Sequence, residues 1–374
     1  RVKTLHPKIH AGILNKREKK SHLREIENHK FENIDLVVVN FYPFENIIKK
    51  TKNHKKVIEN IDIGGPTIVR SAAKNFNDVV VVTSPDQYDD LIQELNKYKG
   101  TTSLYFREKL SRIAFSETAY YDSIISNYLN EISNTSFPTK KVFHGNLIEQ
   151  LRYGENPHQQ SAVYSKNLNL NLKQVYGKKL SYNNYNDIFT ALTISKSLPK
   201  NKGAVIVKHA NPCGVSVKKN NLESYKSALS CDPISAFGGI LSCNFKITAN
   251  LATELSKLFL EVIIANGFNH KAIKILKAKK NLRLIDGTNY DTNEIYKLTS
   301  FNQNIIVQSE DLKMFTKKNF QIVSKRKPTP QQLKDLIFAF NVCRYVKSNA
   351  IVIASNETTV GIGSGQPSRL DSCQ

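Results

Sequence analysis

The sequence predicts an α/β protein with two domains, because apolar strand-like runs alternate with helical segments along its 374 residues. Runs of β-branched apolar residues at 35–40, 79–83 and 203–207 are typical of strands buried in a sheet. The segments around them have the apolar spacing and the capping residues of helices. The length is sufficient for domains that each bury a core of their own.

The first part of the chain predicts one α/β domain. Its predicted elements are, in order, strand 35–40, a helix from Gly64, strand 79–83, and helices 88–98 and 104–129. Gly64, Gly65 and Pro66 mark a helix start, since proline near the first helical position loses no hydrogen bond. The polar, proline-containing stretch 134–138 then predicts a boundary, which gives domains 1–137 and 138–374.

The second part alternates in the same way. Its predicted elements are helix 188–198, strand 203–207, helices 222–230 and 248–259, strand 262–265, a helix from Thr329, strand 350–354, a hairpin at Asn356, and a glycine-rich turn at 361–365. The helix from Thr329 carries an apolar stripe, which we expect to lie in the core. That stripe consists of Leu333, Leu336, Ile337, Phe340 and Val342.

Lys208 and His209 follow strand 203–207 directly, and the ends of strands are where α/β sheets hold ligands. Asn211-Pro212 and Gly214 predict a turn after them, since proline fixes φ and glycine accepts unusual backbone angles. A lysine neighbour disfavours charged imidazole, so His209 would be available as a base near neutral pH. The alternative is a loop histidine bonded to nearby backbone.

The first domain offers a second group of candidates. Asn40 and Tyr42 follow a predicted strand, and the glycines at 64–65 expose N–H groups that suit an anion. Arg70 and Lys74 share one helix face, where like charge and burial would lower the pKa of Lys74 and suit it to proton transfer. The alternative is an exposed lysine on a basic helix.

Three further stretches predict ligand contacts in the second domain. Arg152 would hold a phosphate through two parallel donors, and Tyr153 would pack on a heterocycle. The loop 232–239 contains two glycines and allows a close backbone approach. Asn349 and Arg369 would add amide and guanidinium donors. Taken singly, each stretch has ordinary turn chemistry as its alternative, and none matches a Walker A or GxGxxG pattern.

Composition excludes several classes of protein. The net charge of +22 suits a nucleic-acid binder or an enzyme for anionic small molecules, but the lysines are spread from end to end without a basic motif. No apolar run is long enough to span a bilayer. The five scattered cysteines predict reduced thiols in the cytoplasm. Ser216 stands where a deaminase PCxxC pair beginning at Cys213 needs its second cysteine, so no zinc site is predicted.

Together the motifs closely resemble the bifunctional purine biosynthesis family, which combines phosphoribosylaminoimidazolecarboxamide (AICAR) formyltransferase with IMP cyclohydrolase. They occur in the family's order as RVKTLHP, NFYPF, NIDIGGPT, SAAKN, LRYGENPHQ, LSYNNYND, VKHANPCG, DPISAFGG, EVIIA, SNAIV and GIGSGQPSR. The resemblance implies a methylglyoxal-synthase-like, Rossmann-related cyclohydrolase domain, then a transformylase domain with a cytidine-deaminase-like fold. It also implies 10-formyltetrahydrofolate as cosubstrate, no bound cofactor or metal, and a cytoplasmic homodimer.

The resemblance assigns roles to particular positions of the first domain. Lys74 matches the family's proton-transferring lysine, while Lys3, Tyr42 and Asp62 match its other cyclohydrolase site residues. The positions that match nucleotide contacts are Arg1, Val2, Thr4, Val39, Asn40, Ile63 and Gly64. These residues would close the formylated intermediate, FAICAR, to IMP with loss of water.

In the second domain, His209 matches the base that takes a proton from the AICAR amine as it attacks the formyl carbon. Lys208 matches the residue that stabilises charge in that transition state. Other positions that match AICAR contacts are Arg152, Tyr153, Gly238, Glu261, Asn349 and Arg369. Leu370 would neighbour the folate, and Glu261 stands where some members carry aspartate.

The chain begins at Arg1 rather than methionine and stops at Gln374, so we expect a piece of a longer protein with both domains incomplete. We expect this piece alone to have little of either activity. One alternative is a nucleotide-binding remnant without catalysis, which the presence of Lys74, Lys208 and His209 disfavours. The other is a basic nucleic-acid-binding protein.

Overall fold

The computed structural model describes residues 5–292 and 296–374. The chain folds as two compact units, Arg1–Gly145 and Asn146–Gln374. The predicted site residues Arg1, Val2, Lys3 and Thr4 lie outside the described residues. None of the helices in the described ranges combines the length and apolar character needed to cross a bilayer.

The first unit is an α/β domain. Its elements are α1 (Pro7–Leu14), α2 (Lys20–Asn28), β1 (Leu36–Val38), α3 (Phe44–Lys50), α4 (His54–Glu59), α5 (Gly64–Lys74), β2 (Val80–Val82), α6 (Tyr88–Lys97) and α7 (Leu104–Ile132). β1 and β2 pair in parallel, as their composition predicts. β2 is wholly buried, whereas only Val37 of β1 is buried, so the expectation of a fully buried first strand is wrong.

The core of this unit lies between β2, α5 and α7. Pro66 stands in the first turn of α5, and Val69, Ala72 and Ala73 form its buried face. The two alanines leave room for α7, which begins at the N-cap Ser103. This packing fixes the start of α5 beside the ends of β1 and β2.

The second unit contains the remaining elements. They are β3 (Asn146–Leu151), β4 (Ser161–Ser165), β5 (Lys173–Tyr176), α8 (Tyr182–Ser197), β6 (Gly203–Lys208), β7 (Asn211–Val217), α9 (Asn221–Cys231), α10 (Pro233–Ala236), β8 (Ile240–Cys243), α11 (Ala249–Leu255), β9 (Val262–Ala265), α12 (His270–Leu276), β10 (Arg283–Asp286), β11 (Tyr296–Phe301), β12 (Asn304–Ser309), α13 (Pro330–Cys343), β13 (Ile351–Ser355), β14 (Thr358–Gly363) and α14 (Arg369–Cys373). Helix α11 is shorter than predicted.

An eight-stranded mixed sheet organises this unit, in the order β13-β14-β7-β6-β8-β9-β10-β5. β6 runs antiparallel to both β7 and β8, while β8, β9 and β10 are parallel. Residues of β6 alternate between two cores: Ala204 and Ile206 face the side of α9, α11 and α12, and Val205 and Val207 face the side of α8 and α13. Both faces of the central strand are therefore covered.

The hairpin of β13 and β14 forms one edge of this sheet. Its link to β7 is a single ladder pair, Thr358 with Ser216. Hydroxyl groups add to it: Thr358 and Ser216 bond each other at 2.8 Å, and Thr359 Oγ1 accepts the N–H of Val215 at 2.9 Å. Gly361 and Gly363 belong to β14, so the predicted glycine-rich turn at 361–365 is wrong for its first three residues.

The apolar stripe that we predicted on α13 lies in the core only in part: Val342 is buried and Leu333 and Ile337 are half-buried, but the other two residues are exposed. Leu336 and Phe340 are 58% and 47% exposed, while the buried residues are Phe338 and Val342. Phe340 instead packs edge-on against Phe315, with ring centroids 4.7 Å apart. The helix lies over an edge hairpin, so only a narrow side of it is covered by the sheet.

Candidate functional site

The Lys208–His209 pair stands at a two-residue turn that joins β6 to β7. His209 and Ala210 both have φ of +56°, and Lys208 pairs with Asn211 to close the hairpin. The turn that we predicted at Asn211–Gly214 is therefore wrong, since these residues continue as β7. The site lies at a hairpin end between antiparallel strands rather than at the carboxyl edge of a parallel sheet.

Local packing explains why Pro212 and Gly214 occur within strand β7. The register shifts between Ile206 and Val207, which leaves Cys213 as the extra residue of a β-bulge, where a neighbouring proline is tolerated. A Cβ on Gly214 would lie 1.9 Å from the carbonyl oxygen of Ala228, so glycine here permits the close approach of α9.

Asp187 of α8 holds the turn from outside the hairpin. Its Oδ1 accepts the N–H of Ala210 at 2.6 Å, and its Oδ2 accepts the N–H of His209 at 3.3 Å. Burial raises the pKa of Asp187, the two N–H bonds and His209 act against that rise, and the charge of Glu261 adds to it. The imidazole of His209 is exposed.

Lys208 points to the loop between α10 and β8. Its Nζ donates to the carbonyl oxygen of Phe237 at 2.6 Å. Gly238 follows with φ of +73°, and its N–H donates to the carbonyl of Phe259 at 2.8 Å. A Cβ on Gly238 would lie 3.8 Å from the Lys208 Nζ, so the ammonium group sits against this glycine.

Glu261 is held by a second residue of α8 and by an arginine. Asn184 Nδ2 donates to its Oε2 at 2.8 Å, and an Arg283 guanidinium nitrogen lies 4.0 Å from the same oxygen. Asn184 also forms a capping box with Ser181 at the start of α8, which fixes its amide. Asn184 and Asp187 are three residues apart, so they share one face of α8.

A cleft of about 470 Å³ opens beside the pair, with Lys208, His209, Cys213, Asp232 and Ser364 among its lining residues. Burial raises the pKa of Cys213 to about 11, so its thiol is neutral at physiological pH and is a poor nucleophile. Within residues 5–292 and 296–374, no cluster of three or more histidine, cysteine, aspartate or glutamate side chains is arranged to hold a metal ion.

The arrangement suits proton transfer beside a developing negative charge. An exposed imidazole accepts a proton at neutral pH, and an adjacent ammonium group stabilises an oxyanion. The residues Lys208, His209, Gly238 and Glu261, all predicted from the sequence, are thus brought together.

The other predicted residues of this unit have contacts of their own. Arg152 follows β3 and is exposed, with its guanidinium carbon 5.7 Å from the centre of the Tyr153 ring. Asn349 Nδ2 donates to the carbonyl of Pro367 at 3.0 Å, which ties it to the segment before α14. Arg369 and Leu370 are exposed in the first turn of α14, Leu370 by 69%. In the part of the chain that the structure describes, no hydrogen bond or ion pair joins these five to Lys208 or His209.

Asp62 organises the candidate site of the first unit. Its two carboxylate oxygens accept the N–H of Gly65 at 2.9 Å and that of Tyr42 at 3.4 Å. Its own N–H donates to the hydroxyl of Tyr121 at 2.9 Å. The N–H of Gly65 is therefore already bonded within the protein, which reduces the anion site that we predicted at the two glycines.

The neighbouring predicted residues form contacts of their own. Asn40 follows β1, and its Nδ2 donates to the Tyr88 hydroxyl at 3.3 Å. Val39 donates its N–H to the carbonyl of Val82 at 3.0 Å, which continues the parallel pairing. Ile63 and Gly64 form the start of α5, where Ile63 is exposed.

Lys74 is not part of this cluster in the first unit. Gly65 and Lys74 are nine residues apart on α5, which places them about 14 Å apart along the helix axis. Lys74 is exposed, so the burial that we expected for it is wrong. The Arg70 guanidinium lies over the Phe115 ring, 5.5 Å from its centre.

Sequence reasoning missed Asp187, Asn184 and Phe237. Asn184 and Asp187 belong to the LSYNNYND motif, and their spacing on a helix indicates a shared polar face. That signal does not say what the face contacts, because His209 is 22 residues further along the chain. Phe237 contributes only a backbone carbonyl, which no side-chain pattern reports.

Comparison with known proteins places the chain in a family. Residues 72–374 match the family described as AICARFT/IMPCHase bienzyme, and residues 1–67 match the MGS-like (methylglyoxal-synthase-like) domain. The solved structure described as "Crystal structure of ForH" is 34% identical, covers 34% of this chain and 67% of its own, and has a TM-score of 0.30, too low to bear on the fold.

Curated relatives match along the whole chain. The "Bifunctional purine biosynthesis protein PurH" of Bradyrhizobium diazoefficiens is 44% identical over 100% of this chain and 72% of its own length. The proteins of the same name from a Thermoanaerobacter species and from Oceanobacillus iheyensis are 43% and 40% identical, over 73% and 74% of their lengths. The chain therefore belongs to the AICARFT/IMPCHase bienzyme family, whose members transfer a formyl group from 10-formyltetrahydrofolate to AICAR and close the product to IMP.

Proposed function

We propose that this chain contributes both reactions of its family, the last two steps of IMP synthesis, and that Lys208 and His209 carry the formyl transfer. The observation that supports this most directly is the exposed imidazole of His209, held by a fixed turn beside the Lys208 ammonium at an open cleft. AICAR and 10-formyltetrahydrofolate are the ligands. The domains are 1–137 for the cyclohydrolase and 138–374 for the transformylase.

In the formyl transfer, the AICAR amine attacks the formyl carbon and forms the new C–N bond. His209 takes the amine proton, and Lys208 stabilises the negative charge on the formyl oxygen. His209 then returns this proton to the folate nitrogen as the C–N bond to the folate breaks, which leaves FAICAR and tetrahydrofolate. Arg152, Tyr153, Gly238 and Glu261 bind and orient AICAR in this scheme.

Ring closure to IMP belongs to the first domain. Asp62 and Tyr42 lie together at the start of α5, near Asn40 and the end of β1, and we assign this corner to the nucleotide. Lys3 belongs to the same assignment. Lys74 remains our prediction for the proton-transferring group, and its position at the other end of α5 means that it works apart from Asp62 within one chain.

A homodimer is the assembly that we propose. Among the described residues, no hydrogen bond or ion pair joins Asn349, Arg369 or Leu370 to Lys208 or His209, which is compatible with a site built across two copies. The scattered lysines provide no focused basic stripe, so nucleic acid is not a proposed partner. Five free cysteines suit a reducing compartment, and we propose the cytoplasm.

Turnover of variants tests this proposal. His209→Ala should lower the rate of FAICAR formation by about 100- to 10,000-fold, the usual contribution of a general base. His270→Ala is the matched control, because His270 is an exposed histidine at the start of α12 in the same unit. Full activity of the His209 variant would contradict the assignment.

Binding separates the alternatives. AICAR titration should saturate and should weaken in Arg152→Ala, since that guanidinium is assigned to the phosphate. Binding of AICAR without turnover would favour the catalytically incompetent remnant. Tight, salt-dependent binding of an arbitrary oligonucleotide at matched salt would favour the nucleic-acid binder.

A further inference from the structure

The His209–Ala210 turn has a conformation that its sequence does not favour. Both residues have φ of +56°, a region that costs an ordinary L-residue free energy and costs glycine little. Two-residue hairpins with φ > 0 at both positions prefer Asn-Gly, and neither residue here is of that kind. Such a conformation persists only when the surrounding structure imposes it.

The imposing group is the carboxylate of Asp187. One oxygen accepts the N–H of Ala210 at 2.6 Å and the other accepts the N–H of His209 at 3.3 Å. Both N–H groups of the turn are therefore bonded to a single side chain from a different element. That side chain stands on α8, a helix capped at Ser181 and packed on β6 through the buried Ile188.

No ion pair explains Asp187. Among the described residues it forms no salt bridge, and the other carboxylate near it, Glu261, repels it. A half-buried carboxylate with that neighbour is tolerated because the two N–H groups bond it. Within residues 5–292 and 296–374, the hydrogen bonds of this carboxylate go only to the turn, and its charge also favours a protonated His209.

We infer that Asp187 is a positioning residue for formyl transfer: its carboxylate holds the left-handed His209–Ala210 turn and so sets where the imidazole stands. This inference rests on the proposed role of His209 as the base. In the described ranges, Asp187 forms its side-chain hydrogen bonds with the backbone of the turn and not with the imidazole.

A second turn in the same unit provides a control. Asn356 and Glu357, between β13 and β14, have φ of +52° and +53°. Asp335 Oδ1 accepts the N–H of Glu357 at 2.8 Å, which is the same kind of support away from Lys208 and His209. Asp335→Ala therefore removes a comparable bond without touching the proposed site.

Kinetics of protein expressed from the complete gene give the first test. Asp187→Ala should lower kcat for FAICAR formation by about 100-fold, the effect of misplacing a reacting group by roughly 1 Å, with a much smaller change in KM for AICAR. The kcat of Asp187→Asn should lie between those of the wild type and Asp187→Ala, because the single amide oxygen of asparagine can replace only one of the two carboxylate oxygens that accept the N–H groups of the turn. Asp335→Ala should keep the wild-type kcat.

Rescue distinguishes positioning from general stability. Ala210→Gly in the Asp187→Ala background should recover about tenfold in kcat, because glycine adopts the left-handed angle without support. Thermal unfolding of each variant shows whether it is folded. No rescue, combined with equal kcat losses in Asp187→Ala and Asp335→Ala, would leave Asp187 with a merely structural role and overturn the inference.

A spectroscopic readout does not depend on turnover. In protein labelled with carbonyl-¹³C histidine and ¹⁵N alanine, NMR can select the amides whose nitrogen is bonded to a labelled carbonyl. These are the amides of Ala11 and Ala210, the two alanines of the chain that follow histidine. The Ala210 amide proton should move upfield in Asp187→Ala while the Ala11 signal stays. An unmoved Ala210 signal overturns the inference.

The kinetic outcomes also separate the two ideas. Wild-type kcat in Asp187→Ala together with an inactive His209→Ala would refute the inference alone. An active His209→Ala would refute the proposed function.

Discussion

The substitution Gly238→Ala tests the site, because its effect on stability and its effect on turnover can be measured separately. Its φ of +73° means that Gly238→Ala puts a Cβ into the left-handed region, which costs about 1–2 kcal/mol. Overlap adds little, because the nearest atoms would be the Phe259 ring at 3.5 Å and the Lys208 Nζ at 3.8 Å, both ordinary contacts. The expected loss of stability is therefore modest.

The catalytic effect should be larger than this. Relief of the strain turns the Phe237–Gly238 peptide, whose carbonyl accepts a hydrogen bond from the Lys208 ammonium and whose own N–H donates to the carbonyl of Phe259. Lys208 would then lose its position, and removal of one charge-stabilising group costs about 100- to 1,000-fold in kcat. We expect a loss in that range for FAICAR formation.

Gly267→Ala is the matched control. Gly267 has φ of +91°, and its added Cβ would meet only the Lys246 Cγ at 3.9 Å. The midpoint of thermal unfolding should fall in both variants, by about 2–4 °C for each kcal/mol of lost stability, as is usual for a domain of about 150–250 residues. Only Gly238→Ala should lose turnover. Equal turnover losses in the two variants would refute the reasoning, and so would a Gly238→Ala variant whose unfolding midpoint equals that of the wild type.

Three other perturbations give outcomes that can be measured directly. Asp62→Ala should cost about 1 kcal/mol in urea unfolding, because the Gly65 N–H at the start of α5 loses its acceptor, and ring closure should fall with it. Burial and a neighbouring carboxylate raise the pKa of Tyr185 from 10 to about 12, so the stability that its neutral hydroxyl provides is complete below pH 10 and is lost as pH rises toward 12. The stability difference between wild type and Tyr185→Phe should shrink over that interval; a constant difference contradicts the assignment. Iodoacetamide at mildly alkaline pH should label the exposed Cys373 and spare the buried Cys213, as peptide mass spectrometry would show.

Much of the fold follows from local sequence. Strand β6 is predicted by its β-branched apolar residues, and α5 by Pro66 near its start, because burial and capping act over a few neighbouring residues. The family resemblance, carried by long motifs, is confirmed by matches along the whole chain. Site residues from the VKHANPCG and DPISAFGG motifs do meet, at Lys208 and Gly238.

The errors have a common physical origin in contacts between distant segments. The sequence indicates a turn at Pro212 and Gly214, but a β-bulge and the approach of α9 use those residues within a strand. The real turn, at His209–Ala210, has no turn signature because Asp187 imposes it from another element. Likewise Phe340 leaves the core since Phe315, which precedes α13, covers it at the surface.

The short main-chain pairing between the β13–β14 hairpin and β7 has a consequence for motion. The hairpin shares one ladder pair with β7, whereas β6 is paired along both of its edges, so we expect the hairpin amides to exchange with solvent before those of β6. Asn349 precedes this hairpin and Arg369 follows it, and both travel with it when it opens. Lys208 and His209 stay behind in the central strands.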